Sequence, residues 1–281
     1  MKPTWLEPFA LKWNPFGDQV PTEGLLPSAQ VENFVGRIER SLVRDGGFAL
    51  LVGDPGLGKS STLRILTERL DQHPEVEVRI LESVQCGLAD FYRELGDLFA
   101  VPLRPHNRWN GFKALRERWQ AHMDGCRTRP VLLIDEAQLI KPAVLSELRL
   151  LASAELDSRN LLSVVLAGDQ RLLDQMQSAE LRPLESRMRI RLHLQPATSD
   201  EMETCLRHLI TAAGNPRLID DEVLEALAEH AMGNRRTLVQ LAGELLHAAA
   251  ERDATTVDQK LYLEMASTER PAAAARTRKR R

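Results

Sequence analysis

The sequence predicts an α/β fold: a parallel five-stranded sheet flanked by helices, joined to a small C-terminal helical domain. Three observations predict it. Five short apolar runs alternate with amphipathic stretches of helical period, a glycine-rich turn joins the first run to the helix after it, and no strand pattern recurs beyond "QPATSDE". Helices on both faces bury a parallel sheet completely, which is why its strands read as nearly continuous apolar runs.

The first strand is "FALLVG", and the helix after it places Leu63, Leu66 and Leu70 on one face. "VEVRIL" alternates Val76, Val78 and Ile80, the period-two pattern of a second strand. "WNGFKALRERWQAHM" then puts Phe112, Leu115, Trp119 and Met123 on one helical stripe. "PVLLID" and "LLSVVLAG" read as the third and fourth strands with the helix "PAVLSELRLLAS" between them, and "IRLHL" as the fifth. From Ser199 to Met265 only helices are expected, as in "DDEVLEALAEHAM", where Val223, Leu224, Leu227 and Ala231 face inward. The expected division is an N-terminal strap (1–24), an α/β core (25–196), a helical domain (197–265) and a basic disordered tail (266–281).

A chain of 281 residues can bury a full core and a second, smaller one. No apolar run approaches the ~18 residues a membrane span needs. The N-terminus has no continuous hydrophobic segment of the signal-peptide kind. Cys86, Cys126 and Cys205 are widely spaced and form no paired motif, as expected of reduced thiols in a cytoplasmic protein. A net charge of −3 argues against an overall nucleic-acid coat. Yet five of the 37 basic residues fall in the last six positions, "RTRKRR", either a solvated end or an electrostatic arm for a polyanion.

The chemistry is written most clearly at Gly53-Asp54-Pro55-Gly56-Leu57-Gly58-Lys59-Ser60, with Ser61 next, directly between a strand and a helix. This is the phosphate-binding pattern G-x-x-x-x-G-K-[ST]. Its glycines let backbone N–H groups wrap phosphates, and the helix N-terminus adds the positive end of its dipole. Lys59 is expected to reach the β and γ phosphates of ATP, and the Ser60 hydroxyl to ligate Mg²⁺. Downstream, "VLLIDEAQ" sets Asp135 and Glu136 at the end of a buried strand, where unpaired carboxylates are costly. Asp135 is expected to hold Mg²⁺, directly or through water, and Glu136 to orient and deprotonate the attacking water.

Together these blocks resemble an AAA+ P-loop ATPase. More narrowly, "FALKWNPF", "GGFALLVGDPGLGKSS", "LLIDEAQLIKPAVLSELRLL" and "LRPLESRM" are similar to the ExeA-like group, with the TnsC-like and MuB-like regulators of DNA transposition nearby. The resemblance implies that the helical domain is a lid. It also implies that Arg187, in "ESRMRIRLHL", enters the neighbouring subunit's site, with Arg182 and Arg189 as competitors. Arg236, in "GNRRTL", is similar to a cis phosphate sensor, although Arg235 stands where relatives have proline. Asn14, Pro15 and Phe16 would lie beside adenine, or simply strap the core. Relatives often read G-Q-P-E-L after the fourth strand where this chain has "GDQRL", so either Asp169 or Gln170 would face the γ-phosphate.

Three uses of ATP stay open on the sequence. One is a transposition regulator that oligomerises on duplex DNA as a ring or helical filament, recruits a transposase and possibly a target-selection protein, and disassembles on hydrolysis. Another is a secretion-type ATPase remodelling an envelope complex. The third is a switch that binds nucleotide with little turnover, against which the intact Glu136 and Arg187 weigh. Envelope ATPases of this likeness carry a membrane span after the ATPase part, so the basic ending favours the first reading and a partner set without membrane. In "RPHNRWNGFKALRERW", Arg104, Arg108 and Lys113 are candidate DNA-phosphate contacts, with Arg116 and Arg118 on the polar side of the same helix.

Overall fold

The computed structural model describes residues 4–82, 87–103, 108–154 and 159–267. The chain forms two compact units, Pro27–Gln195 and Met1–Leu26 with Pro196–Arg281.

The first unit is built on five parallel strands: β1 (Gly47–Val52), β2 (Val76–Leu81), β3 (Arg129–Ile134), β4 (Ser163–Gly168) and β5 (Met188–His193). They lie in the order β2-β3-β4-β1-β5. β1, β3 and β4 form the buried centre of the sheet, and β4 is buried along its whole length. That is where the apolar runs "FALLV", "VLLI" and "SVVLAG" lie, as expected for strands covered on both faces. The alternation Val76, Val78, Ile80 is a strand as expected, but this edge strand, β2, is only half-buried and its Ile80 is 44% exposed.

The main helices of this unit are α1 (Ala29–Arg37), α2 (Lys59–Asp71), α3 (Leu88–Leu98), α4 (Arg108–Ala121), α5 (Pro142–Ala152), α6 (Gln170–Met176) and the single turn α7 (Arg182–Glu185). Leu63, Leu66 and Leu70 of α2 are buried, as are Leu115 and Trp119 of α4. Phe112 and Met123 pack from half-buried positions against the cluster that holds Leu115 and Trp119. Pro142 opens α5 in its first turn, where backbone N–H groups have no intrahelical partner.

The second unit is helical: α8 (Ser199–Ala213), α9 (Asp221–His230), α10 (Arg235–Glu251) and a last helix over 259–267. Thr198 and Glu201 form a reciprocal capping box at the start of α8. Val223, Leu224, Leu227 and Ala231 are buried, and so are Leu6, Phe9, Leu11 and Phe16 of the N-terminal segment, in one common core. Lys12 N–H donates to Ala213 C=O at 2.7 Å, and the Asn215 amide donates to Phe9 C=O at 2.9 Å. The N-terminal strap is thus part of the helical unit, built into it by backbone bonds.

Candidate functional site

The turn between β1 and α2, the end of β3 and the end of β4 meet on one edge of the sheet. The registers fix this: Val52 pairs with Gly168, and Ile134 with Leu166. β4 runs between β1 and β3, so the phosphate-loop motif and the Asp-Glu pair flank the loop that begins at Asp169. Open α/β sheets bind ligands in this crevice beyond the carboxyl ends of the strands.

Gly56 and Gly58 take φ of 87° and 102°, which lets the turn curl without a side-chain clash. A Cβ on Gly53 would lie 2.9 Å from Leu194 Cβ, so this position is held to glycine by the neighbouring strand end. Lys59 is buried at 6% exposure, its Nζ donating to the carbonyls of Gly53 at 2.9 Å and Asp54 at 3.2 Å. The ammonium is therefore drawn back over the turn that carries it. The N-terminus of α2, at Lys59, Ser60 and Ser61, supplies the dipole end expected beneath a phosphate.

Ser60 Oγ donates to Asp135 Oδ2 across 2.6 Å. Two hard oxygens brought together beside a phosphate cradle are a donor set for Mg²⁺, which takes one or two protein oxygens and completes its shell with phosphates and water. Among the described residues no cluster of three or more His, Cys, Asp or Glu forms an all-protein metal cage. The residues fit a nucleotide-borne cation.

Glu136 sits at φ 51° and ψ 36°, the left-handed region. For a residue with a Cβ this costs on the order of 1 kcal/mol or more and persists only where the surroundings enforce it. Its N–H donates to Asp135 Oδ1 at 2.8 Å. Its carboxylate accepts from Gln138 Nε2 at 2.6 Å, and Gln138 Oε1 accepts from the Asp169 N–H at 3.3 Å. Gln138 is buried, at 5% exposure. It ties the Glu136 carboxylate to the loop after β4, a link the sequence reading missed. The one signal was an amide standing between Ala137 and Leu139. Gly168 makes room for it, since a Cβ there would lie 2.7 Å from Gln138 Oε1.

Asp169 caps α6 by accepting from Arg171 N–H and forms a paired contact with the Arg171 guanidinium, closest at 2.6 Å. Hydrogen bonding from Arg171 holds the Asp169 carboxyl below the usual carboxylate range, and the charge of Lys59 adds to the effect. Gln170 turns along its own helix instead, donating to Asp174 at 3.4 Å.

Arg187 lies at the other end of the sheet. Met188, its neighbour in the chain, pairs with Phe48 at the start of β1, whereas the phosphate loop follows the end of that strand. At ~3.3 Å per residue, the length of the strand separates the two by roughly 20 Å. Arg187 cannot serve the phosphate loop of its own chain. Its Nη1 donates to Ser153 Oγ at 2.6 Å. Arg182 lies in α7 and Arg189 in β5, at the same end; the Arg189 carbonyl accepts from Arg37 at 3.2 Å.

The remaining expected residues fall in the helical unit or on α4. Asn14 Oδ1 accepts from Phe16 N–H at 3.0 Å, and Pro15 and Phe16 are buried. Asn234 caps α10, accepting from the N–H groups of Arg236 and Thr237. Arg236 is exposed, whereas Arg235 is half-buried and donates to the Leu26 carbonyl at 3.4 Å. Of the three DNA candidates, Arg104 lies outside the described residues. Lys113 is exposed on α4, 3.7 Å from Glu117. Arg108 opens α4 and is committed to the buried Glu147 of α5, which also accepts from the Tyr92 hydroxyl. Cys86 and the tail beyond residue 267 also lie outside the described residues; Cys126 is exposed and Cys205 buried.

Comparison with known proteins accords with this geometry. Residues 43–176 match the family model for the AAA domain. That stretch is similar to an AAA domain. The whole fold is that of an AAA+ P-loop NTPase: a parallel five-stranded sheet flanked by helices, with a helical C-terminal region. Cdc6p from Pyrobaculum aerophilum superposes with a TM-score of 0.69 at 18% identity, over 86% of this chain and 67% of that one. The Aeropyrum pernix ORC1 protein, solved in complex with DNA, gives 0.67 at 20% identity, over 92% and 69%. The Thermotoga maritima RuvB branch-migration motor gives 0.57 at 17% identity, over 90% and 73%. In sequence, the chain is 30% identical over 209 residues to general secretion pathway protein A of Aeromonas hydrophila, covering 73% of this chain and 37% of that protein. The chain thus spans little more than a third of that relative. Among the described residues no helix is long and apolar enough to cross a membrane.

Proposed function

We propose that this AAA-domain chain is an Mg²⁺-dependent ATPase that works as an oligomer, each site being finished by Arg187 of a neighbouring copy. The observation that carries the reading is the separation of Arg187 from the phosphate loop of its own chain, beside an otherwise assembled site. The turn from Gly53 through Asp54, Pro55, Gly56, Leu57 and Gly58, with Lys59, Ser60 and Ser61, binds the β and γ phosphates. Ser60 and Asp135 would hold Mg²⁺, which when bound neutralises phosphate charge. Glu136 takes the proton of the attacking water, and Gln138 fixes the direction of that carboxylate. Arg187 of the neighbour stabilises charge on the γ-phosphate oxygens. Asp169, close enough to Lys59 to feel its charge, is the better candidate than Gln170 for a polar contact near the γ-phosphate. Arg236 is assigned to phosphate sensing, and Asn14, Pro15 and Phe16 to the adenine side.

For the use of this turnover we propose regulation of DNA transposition: assembly with ATP on duplex DNA, recruitment of a transposase, and release on hydrolysis. Lys113, Arg104 and the outer side of Arg108, whose side chain stays 62% exposed while paired, are the proposed phosphate contacts. A second reading, remodelling of an envelope secretion complex, is favoured by the identity to general secretion pathway protein A. That likeness lies in a region covering 37% of the secretion protein, so it speaks to the ATPase part that both readings share. Duplex binding, titrated with salt with and without ATP, separates them. Transposition regulation requires ATP-dependent binding that weakens steeply with salt. Absent or salt-insensitive binding removes it.

A further inference from the structure

Helix α5 joins two places that the proposed mechanism uses for different nucleotides. It begins just after the Asp135-Glu136-Gln138 segment of its own site and ends at Ser153, the partner of Arg187. The helix is anchored along its length. Val144, Leu145, Leu148, Leu151 and Ala152 are buried in the core, and Glu147 is pinned by Tyr92 and Arg108. At its far end Ser153 is only 7% exposed and fully engaged. Its hydroxyl donates to Arg149 C=O at 3.1 Å and accepts from Arg187 Nη1 at 2.6 Å, while its carbonyl accepts from Arg116. Arg116 also donates to Leu150 C=O at 2.9 Å, closing the end of the helix against α4.

We infer that Ser153 is the positioning residue for Arg187, aiming the guanidinium that a protomer presents to its neighbour. An arginine has many rotamers of similar energy, and a site completed in trans gains from having one chosen before the neighbour docks. A buried hydroxyl whose proton is already given to a backbone carbonyl can only accept. It therefore suits a guanidinium and selects the Arg187 rotamer that reaches it. Because Ser153 terminates the helix that starts beside Asp135 and Glu136, the arrangement of one protomer's site and the aim of its arginine share a rigid element. The inference rests on the reading of Arg187 as the residue supplied in trans.

Mixed assemblies test it. Arg187→Ala protomers keep an intact site but give nothing to a neighbour, and Glu136→Gln protomers give Arg187 but cannot turn over. An equal mixture of the two is expected to regain ATPase activity. Substituting Glu136→Gln/Ser153→Ala for the second partner is expected to lower the regained kcat about tenfold at unchanged KM for ATP, the size of one orienting bond to a charged group. Glu136→Gln/Ser153→Thr, which keeps the hydroxyl, is expected to restore it. Equal rescue by the Ser153→Ala donor overturns the positioning role and leaves Arg187 standing. Failure of the first mixture to regain activity overturns the trans role of Arg187 itself. A Ser153→Ala donor whose melting temperature and nucleotide affinity match its parent separates lost aim from lost folding.

Discussion

The hydroxyl of Ser60, in the first turn of α2, reaches the carboxylate of Asp135, just past β3, at 2.6 Å, although β1, which leads into α2, and β3 are not neighbours in the sheet. β4 runs between them, so the contact exists only because the first helix turn and the end of β3 both lean over the end of β4. Residues 75 apart in the chain become one pair of oxygen donors by topology alone.

Asp135→Asn tests that pair as the metal-holding element. Nucleotide affinity of the parent should drop on chelating Mg²⁺, whereas that of Asp135→Asn should start roughly tenfold or more weaker and respond little to the chelator. A titration with fluorescent ATP, with and without EDTA, reads both.

Glu136→Gln should preserve nucleotide binding and reduce turnover by about two to four orders of magnitude, since only proton acceptance is removed. The trapped state should be an ATP-bound assembly that persists in sedimentation after wild-type assemblies have dispersed. Unchanged steady-state hydrolysis would reassign the base.

Gly168→Ala places a methyl group 2.7 Å from Gln138 Oε1 and 2.8 Å from Leu172 Cδ2. Gln138 then has to leave its place between Glu136 and Asp169. A loss of kcat of about 10- to 100-fold is expected, with ATP affinity nearly unchanged, because displacement of a catalytic group by about an ångström has that cost. Steady-state kinetics beside equilibrium nucleotide binding shows whether the two separate.

Arg108→Ala tests the Glu147 cluster as a stability element. Burial pushes the Glu147 carboxyl up, but hydrogen bonds from Arg108 and Tyr92 outweigh this and hold it below its ordinary range. A depressed carboxyl adds stability that is present above its unfolded pKa and lost as pH falls through the folded one. The parent should therefore lose part of its stability on acidification below the ordinary glutamate range. Arg108→Ala should be destabilised by about 1–3 kcal/mol near neutrality, as a buried carboxylate loses a charged partner. The gap between the two should narrow toward low pH, where Glu147 is protonated in both. Urea melts across that range measure it.

The contrast between what was legible and what was not follows the distance between partners along the chain. The phosphate loop and the Asp-Glu pair are legible because their geometry is local: glycines at fixed offsets, or two acids at the end of an apolar run. Gln138 escaped because its partners are set by the crossing of two strand ends. Ser153 and Glu147 look like ordinary helix residues until Arg187, 34 positions away, and Tyr92, 55 positions away, are placed against them. The alternation in β2 reads correctly as a strand, but period alone cannot say that the strand is an edge, and Ile80 is left in solvent. The strap from Leu6 to Phe16 reads in sequence as a piece beside adenine or packed on the core; which core it joins was not legible, because its hydrogen-bonding partners, Ala213 and Asn215, lie some 200 residues on.

The claim that a neighbour completes each site is tested most directly by ATP turnover per protomer as protein concentration is lowered at saturating Mg²⁺ and ATP, with sedimentation at each concentration. Turnover per protomer is predicted to fall as assemblies come apart and to vanish in the monomer, in step with Arg187→Ala, which should be about a thousandfold impaired at all concentrations. Constant turnover per protomer down to concentrations at which only monomer sediments would contradict the account.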